Sequence, residues 1–151
     1  DLIVGKSIGK MGALTSQGRL VIFDPKDYSS TQQMLDEGFT DTWWFDVALV
    51  INGQVQNIYD GNQTKYKAPY SAIGQKADGT MLFITVDGRG SNGSSGLNYG
   101  GMARLMGRYG AYNAYQLDGG GSATMVFNGN VLNKPSDGSE RAISDIIYVG
   151  R

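Results

Sequence analysis

The run Asp118-Gly119-Gly120-Gly121-Ser122 sets one carboxylate, three glycines and a hydroxyl between two apolar, strand-like runs. The 151-residue chain has neither His nor Cys, so any catalysis falls to carboxylates, hydroxyls, Lys or Arg, Tyr and backbone amides. Consecutive glycines let several N–H groups point into one concavity, which suits an anion such as phosphate. The run is not a P-loop, because no Gly-Lys-Ser/Thr follows and the next residues pattern as a strand. A structural bend in which Asp118 bonds loop amides satisfies the same residues.

Two further clusters carry chemistry. Asp87 and Arg89 stand two apart at the end of an apolar run, so in extended geometry they point the same way. A guanidinium pairs bidentately with phosphate oxygens and a carboxylate accepts from sugar hydroxyls; a local ion pair pinning the loop is the alternative. Residues 134–141, Lys-Pro-Ser-Asp-Gly-Ser-Glu-Arg, bring together Ser136, Asp137, Glu140 and Arg141 in what is otherwise a solvated, turn-rich connection. The spacing of Asp137 and Glu140 is compatible with calcium, but the alternating acidic pattern of an EF-hand is missing, so no metal or other cofactor is expected. Trp43, Trp44 and Phe45 read as core or edge packing beside the next strand rather than as a sugar-stacking surface. Tyr66 and Tyr70, near Lys65, Lys67 and Pro69, are candidates for lining a cleft.

The elements that must position these residues follow from turn chemistry. Asn52-Gly53, Asp78-Gly79 and Asn128-Gly129 each separate β-rich runs, and such pairs tolerate the positive φ of type I′ hairpin turns. Gln17-Gly18 is a weaker fourth, and residues 142–149 read as a closing strand. Ser30 and Gln33 have capping-box spacing with Gly38 as a stop, predicting a short helix over 31–37. Met102, Leu105, Met106 and Tyr109 recur at helical spacing, with Arg104 and Arg108 on the opposite face and Gly110 as terminator. The glycine-rich stretch 88–96 between strand and helix reads as a surface loop, of the kind that sometimes closes over a ligand. With no linker or repeat, the expectation is one α+β domain over 1–151: a mixed, mostly hairpin-built sheet with two helices packed against it.

Composition narrows the partners. The net charge is −1 and no Lys/Arg-rich run occurs, so nucleic acid is not expected as a partner. No apolar run reaches the roughly 18–20 residues of a membrane span, and the lack of Cys excludes disulfides. The chain opens on Asp1 without a signal-peptide pattern, which reads as a processed product or an excised domain.

Read together, several segments resemble the phosphodiester glycosidases, bacterial and phage relatives of the lysosomal "uncovering" enzyme that removes N-acetylglucosamine from a phosphodiester on mannose 6-phosphate. They are Ser71-Ala72-Ile73-Gly74, Val86-Asp87-Gly88-Arg89, Leu117-Asp118-Gly119-Gly120-Gly121-Ser122, Asn133-Lys134-Pro135-Ser136-Asp137-Gly138, and Glu140-Arg141. The likeness begins at Gly12-Ala13-Leu14 and covers nearly the whole chain. Two positions depart from the family pattern: Tyr70 and Lys134 each stand where the family favours Arg. The family also carries an Asn-Gly-containing strand upstream of the matching part.

The resemblance implies cleavage of the bond between an anomeric carbon and a phosphate oxygen in a sugar-1-phosphodiester, such as one in a cell-surface glycan or teichoic acid. It implies catalytic carboxylates among Asp118, Glu140, Asp87 and Asp137, and substrate binding by Arg89, Gly119, Gly120, Gly121, Ser122, Ser136 and Arg141. The setting it implies is extracellular, at a cell surface or in a virion. The alternative is a carbohydrate-binding domain of a phage tail or surface protein that keeps the pocket without turnover.

Overall fold

A computed structural model describes residues 9–45, 47–58 and 67–150. Tyr66 and Lys65 lie outside the described residues. Strands β1 (Met11–Thr15), β2 (Leu20–Phe23) and, after helix α1 (Thr31–Asp36), β3 (Phe39–Trp43) form a three-stranded sheet in the order β2-β1-β3. A second sheet contains β4 (Ala48–Ile51), β5 (Gln54–Val55), β6 (Tyr70–Lys76), β7 (Met81–Val86) and β8 (Ala111–Gly119) in the order β5-β4-β8-β6-β7. Helix α2 (Tyr99–Arg108) connects β7 to β8, and a small hairpin of β9 (Val126–Phe127) and β10 (Asn130–Val131) follows. Every strand pair described is antiparallel.

Strand alternation explains the layering. Ala72 and Ala114 face one side of the larger sheet, where Leu49, Val50, Met102, Ala103 and Met106 complete a buried core under α2. Their neighbours Ile73 and Tyr115 face the other side and pack with Leu20 of the smaller sheet. The Tyr115 hydroxyl donates to the Lys10 carbonyl at 2.8 Å and accepts from the Phe45 N–H at 3.0 Å, so its polar end is satisfied inside the sandwich. On the outer face of the smaller sheet, Met34 of α1 closes a third core with Met11, Ala13, Phe23 and Phe39. The order of layers is therefore α1, small sheet, large sheet, α2. This is the α+β arrangement expected from the sequence.

The helix signals operate as read. Ser30 Oγ accepts from the Gln33 N–H at 3.2 Å, and the Gln33 side chain reaches back to the Ser29 N–H at 3.0 Å. In α2, Met102 and Met106 are buried while Arg104 and Arg108 are exposed. Tyr109, expected on the apolar face, caps the helix and stays 57% exposed.

Three expectations need correction. Asn52 and Asn128 take the positive φ of type I′ turns, whereas of Asp78 and Gly79 only Gly79 does. Asp78 Oδ1 instead accepts from the Thr80 N–H at 2.9 Å, making a three-residue loop closed by a left-handed glycine. Trp43 packs into the inter-sheet core, but Trp44 and Phe45 run past the strand and are 51% and 40% exposed. Residues 142–149 form no strand, because no neighbouring edge pairs with them; Ile147 alone joins the inter-sheet core.

Candidate active site

The register of the large sheet assembles the site. Tyr70, the first residue of β6, is opposite both Val86, the last of β7, and Gly119, the last of β8. Asp87 and Asp118 therefore emerge at the same end of the sheet, on either side of the residue 68–70 segment. That segment is clamped: Ala68 and Leu97 exchange backbone hydrogen bonds at 3.0 and 3.2 Å, and the Gly120 N–H donates to the Pro69 carbonyl at 3.0 Å. A Cβ on Gly88 would lie 2.6 Å from the Pro69 nitrogen, and one on Gly96 would lie 2.4 Å from the Ala68 carbonyl oxygen. Much of the glycine in these loops thus serves close backbone packing.

Asp87 accepts three hydrogen bonds from the protein. Its Oδ2 accepts from Asn92 Nδ2 at 2.7 Å, and its Oδ1 accepts from the Lys134 N–H at 2.9 Å and Asn133 Nδ2 at 3.3 Å. Asn133 also donates to the Ala123 carbonyl and accepts from the Met125 N–H, both at 2.8 Å. Asp87 and Asn133 together tie the loop after β7 to the 133–141 loop and to the turn after β8. These three donors make Asp87 a junction between loops.

Asp118 differs. It is exposed, its Oδ1 accepts only from the adjacent Gly119 N–H at 2.7 Å, and Oδ2 has no protein donor among the described residues. Residues Gly120–Ser122 then form one tight 3-10 turn. The Gly119 and Gly120 amides are therefore consumed internally, so the anion cradle expected from the glycines is only partly available. Guanidinium groups supply what the amides do not. Both terminal nitrogens of Arg89 lie 3.5 Å from where a Gly120 Cβ would be, and Arg141 Nη2 lies 2.8 Å from the corresponding point on Gly121. Arg89, from the loop after β7, thus meets Gly120, while Gly121 meets the Asp137–Arg141 ion pair, with the Asp137 carboxylate nearer than the guanidinium.

The arginines are held differently. Asp137 Oδ2 accepts from Arg141 Nη2 at 2.5 Å and Nε at 3.1 Å, and this guanidinium holds the Asp137 carboxyl below its ordinary value. Ser136 Oγ approaches Asp137 Oδ1 at 3.4 Å. Arg89 makes no ion pair or hydrogen bond among the described residues, and its backbone sits at φ 53°, in the left-handed region that costs a non-glycine residue energy. Ser122 ends the 3-10 turn partly exposed, without a side-chain hydrogen bond among the described residues. Glu140 is exposed and makes no hydrogen bond or ion pair among the described residues, so no contact draws it to the Gly120-Gly121 stretch. No group of three or more acidic side chains able to hold a metal occurs among the described residues.

Residues 5–150 match the family described as phosphodiester glycosidase. The chain belongs to the phosphodiester glycosidase family. Among similar proteins, the SPbeta prophage-derived uncharacterized protein YomE of Bacillus subtilis is 47% identical over 83 residues, 55% of this chain and 13% of that protein. The N-acetylglucosamine-1-phosphodiester alpha-N-acetylglucosaminidase of Mus musculus is 39% identical over 67 residues, 44% of this chain and 13% of that enzyme. Among solved structures, the zebrafish NAGPA catalytic domain, auto-inhibited by its pro-peptide, superposes on 85% of this chain with a TM-score of 0.64 at 24% identity, a likeness of fold. That superposition covers 45% of the zebrafish chain, and the matched stretches span 13% of the curated relatives' length.

Some residues of this candidate site have roles that the sequence does not signal. Asn133 is one: the sequence shows it only as a motif residue, and its partner Asp87 is 46 positions away. Tyr99, the first residue of α2, is another: its ring meets that of Tyr70 at a centroid distance of 5.0 Å, and their side chains are hydrogen-bonded. Gln116 is a third. It is buried, its Nε2 donates to the Ser71 and Leu117 carbonyls at 3.0 and 2.9 Å, and it anchors β8 two residues before Asp118.

Proposed function

We propose that this domain hydrolyses the glycosidic bond of a sugar-1-phosphodiester. The observation that carries this reading is the convergence of Arg89 and the Asp137–Arg141 pair on Gly120-Gly121, in the turn that follows the exposed Asp118. Arginines suit the non-bridging phosphate oxygens, and a carboxylate suits the positive charge that develops at the anomeric carbon. The leaving group is a phosphate monoester with a second pKa near about 6, so strong proton donation is not needed and a site without His is adequate. Asp118 acts at the sugar as nucleophile, base or electrostatic stabiliser, with Glu140 as the second carboxylate. Asp137 orients Arg141, and Asp87 holds the loops that carry both arginines. Gly119, Ser122 and Ser136 complete the wall of the pocket.

The substrate class is a sugar phosphodiester of a cell-surface polymer such as teichoic acid, met outside the cell or by a virion. The prophage origin of one relative supports that setting. A second reading, a carbohydrate-binding domain without turnover, is favoured by one fact: Tyr70 stands where the family pattern has Arg. Release of reducing sugar from UDP-N-acetylglucosamine or a teichoic-acid fragment separates the two. The enzyme reading expects turnover by the 151-residue chain; saturable binding without release establishes the binding domain instead.

A further inference from the structure

One strand edge stands apart from the others among the described residues. In the small sheet, Leu20 of β2 turns its backbone away from β1, but its N–H donates to Gln75 Oε1 and its carbonyl accepts from Asn113 Nδ2, both at 3.0 Å. Asp24-Pro25 then ends that strand. β3 carries the exposed Asp41 and a register shift against β1. β5, β9 and β10 have two residues each. Capped backbone groups, charge, proline, bulges and short length are how sheets keep their edges from pairing. β7 uses none of them. Its six residues, Met81–Val86, include no charge and no proline, and they pair with β6 without a shift. The Lys76 N–H donates to the Thr80 carbonyl at 2.9 Å, which fixes the phase of this ladder. Leu82, Ile84 and Val86 therefore turn their backbone groups to β6, and Met81, Phe83 and Thr85 turn theirs outward, where no described residue bonds them.

We propose that this edge is a self-association surface: β7 pairs antiparallel with β7 of a second copy about a two-fold axis at Phe83, joining the two large sheets into one. In that register Phe83 meets Phe83 of the partner subunit and Met81 meets Thr85 of the partner subunit, so every outward N–H and carbonyl of the strand finds a partner. A second copy fits because the outward set is symmetric about Phe83, and an uncharged strand meets no like charge in its own image. The chain's net charge of −1 adds little repulsion between copies. Phe83, 37% exposed in the single chain, gains a cross-strand aromatic neighbour. The interface is separate from the Asp118 turn and stands whether or not the chain turns over a substrate.

Sedimentation equilibrium of the 151-residue chain is expected to show a reversible monomer–dimer equilibrium. Its dissociation constant should be roughly 10–100 µM, as for a small interface. Phe83→Pro removes an N–H that faces the partner and none that faces β6, and Phe83→Lys sets two like charges opposite each other. Each variant, with its circular dichroism unchanged, is expected to weaken dimerisation by about tenfold or more. Amide exchange followed by NMR needs no variant. The Met81, Phe83 and Thr85 amides are expected to gain protection as concentration rises through the dissociation constant, while those of Leu82 and Ile84 stay protected throughout. A wild-type chain that remains monomeric up to about 1 mM overturns the proposal. So does a dimer whose affinity neither variant changes, or one in which the three outward amides gain no protection.

Discussion

The unusual residue is Arg89, which occupies left-handed backbone and makes no ion pair among the described residues. A side chain held there at a cost of about 1–2 kcal/mol, with no hydrogen bond or ion pair among the described residues, fits the phosphate-binding role proposed for it. Arg89→Gly removes both the guanidinium and the strain. It is expected to leave the urea-unfolding free energy within about 1 kcal/mol of wild type, since relief of strain and gain of chain entropy oppose each other. The same change should raise KM for a sugar phosphodiester by roughly tenfold or more; a parallel loss of stability would make Arg89 a scaffold residue. Asp137 behaves oppositely, as a carboxylate committed to Arg141. Its carboxyl is held below the ordinary value of 3.8, so the pair is fully formed above that pH and lost as pH falls through the lowered one. Carboxyl-carbon NMR should therefore find the Asp137 midpoint below 3.8, and Arg141→Ala should return it to the ordinary range.

At the scale of elements, the site is where three strand ends meet a clamped segment, and the loop glycines are part of the clamp. Gly96 takes φ +84° and faces the Ala68 carbonyl at 2.4 Å from its would-be Cβ, whereas Gly129 takes φ +75° with nothing within 4 Å. Gly96→Ala should cost roughly 3 kcal/mol or more, because left-handed strain adds to a backbone clash, while Gly129→Ala should cost only about 1–2 kcal/mol. Thermal unfolding of the two variants checks the difference. What was legible in the sequence follows the same division. Asn52-Gly53 and Asn128-Gly129 were readable because a type I′ turn is decided by two adjacent residues. Asp87, Asp118 and Arg141 were visible as motif residues. Their division of labour was not, because whether a carboxylate is saturated depends on donors from distant loops, as with Asn133 on Asp87. The glycine run suggested an amide cradle or a bend in which Asp118 bonds loop amides; the Gly119 N–H follows the second, while the Gly120 N–H goes to Pro69, a partner that sequence spacing cannot assign.

Among the described residues, two sheets and two helices bury three apolar clusters, and the C-terminal run sits outside this plan. Its alternating pattern reads as a strand, but a strand needs a free edge in register, and none among the described residues takes it. Ile147 nevertheless packs with the inter-sheet core while Ile146 is 70% exposed. Ile147→Ala should therefore destabilise the fold by about 1–2 kcal/mol and Ile146→Ala by less than about 0.5 kcal/mol in urea titrations. Equal effects would mean that residues 142–149 pack differently. The same architecture leaves the central claim with the turn after β8, where Asp118 Oδ2 accepts from no donor among the described residues and Arg89 reaches the following Gly120. Its most direct test is the steady-state release of reducing sugar from one sugar-1-phosphodiester by wild type and by Asp118→Asn. The account predicts measurable turnover by the wild type and a kcat at least about 10²-fold lower in the variant, with the fold intact. Wild-type rates in Asp118→Asn would contradict it.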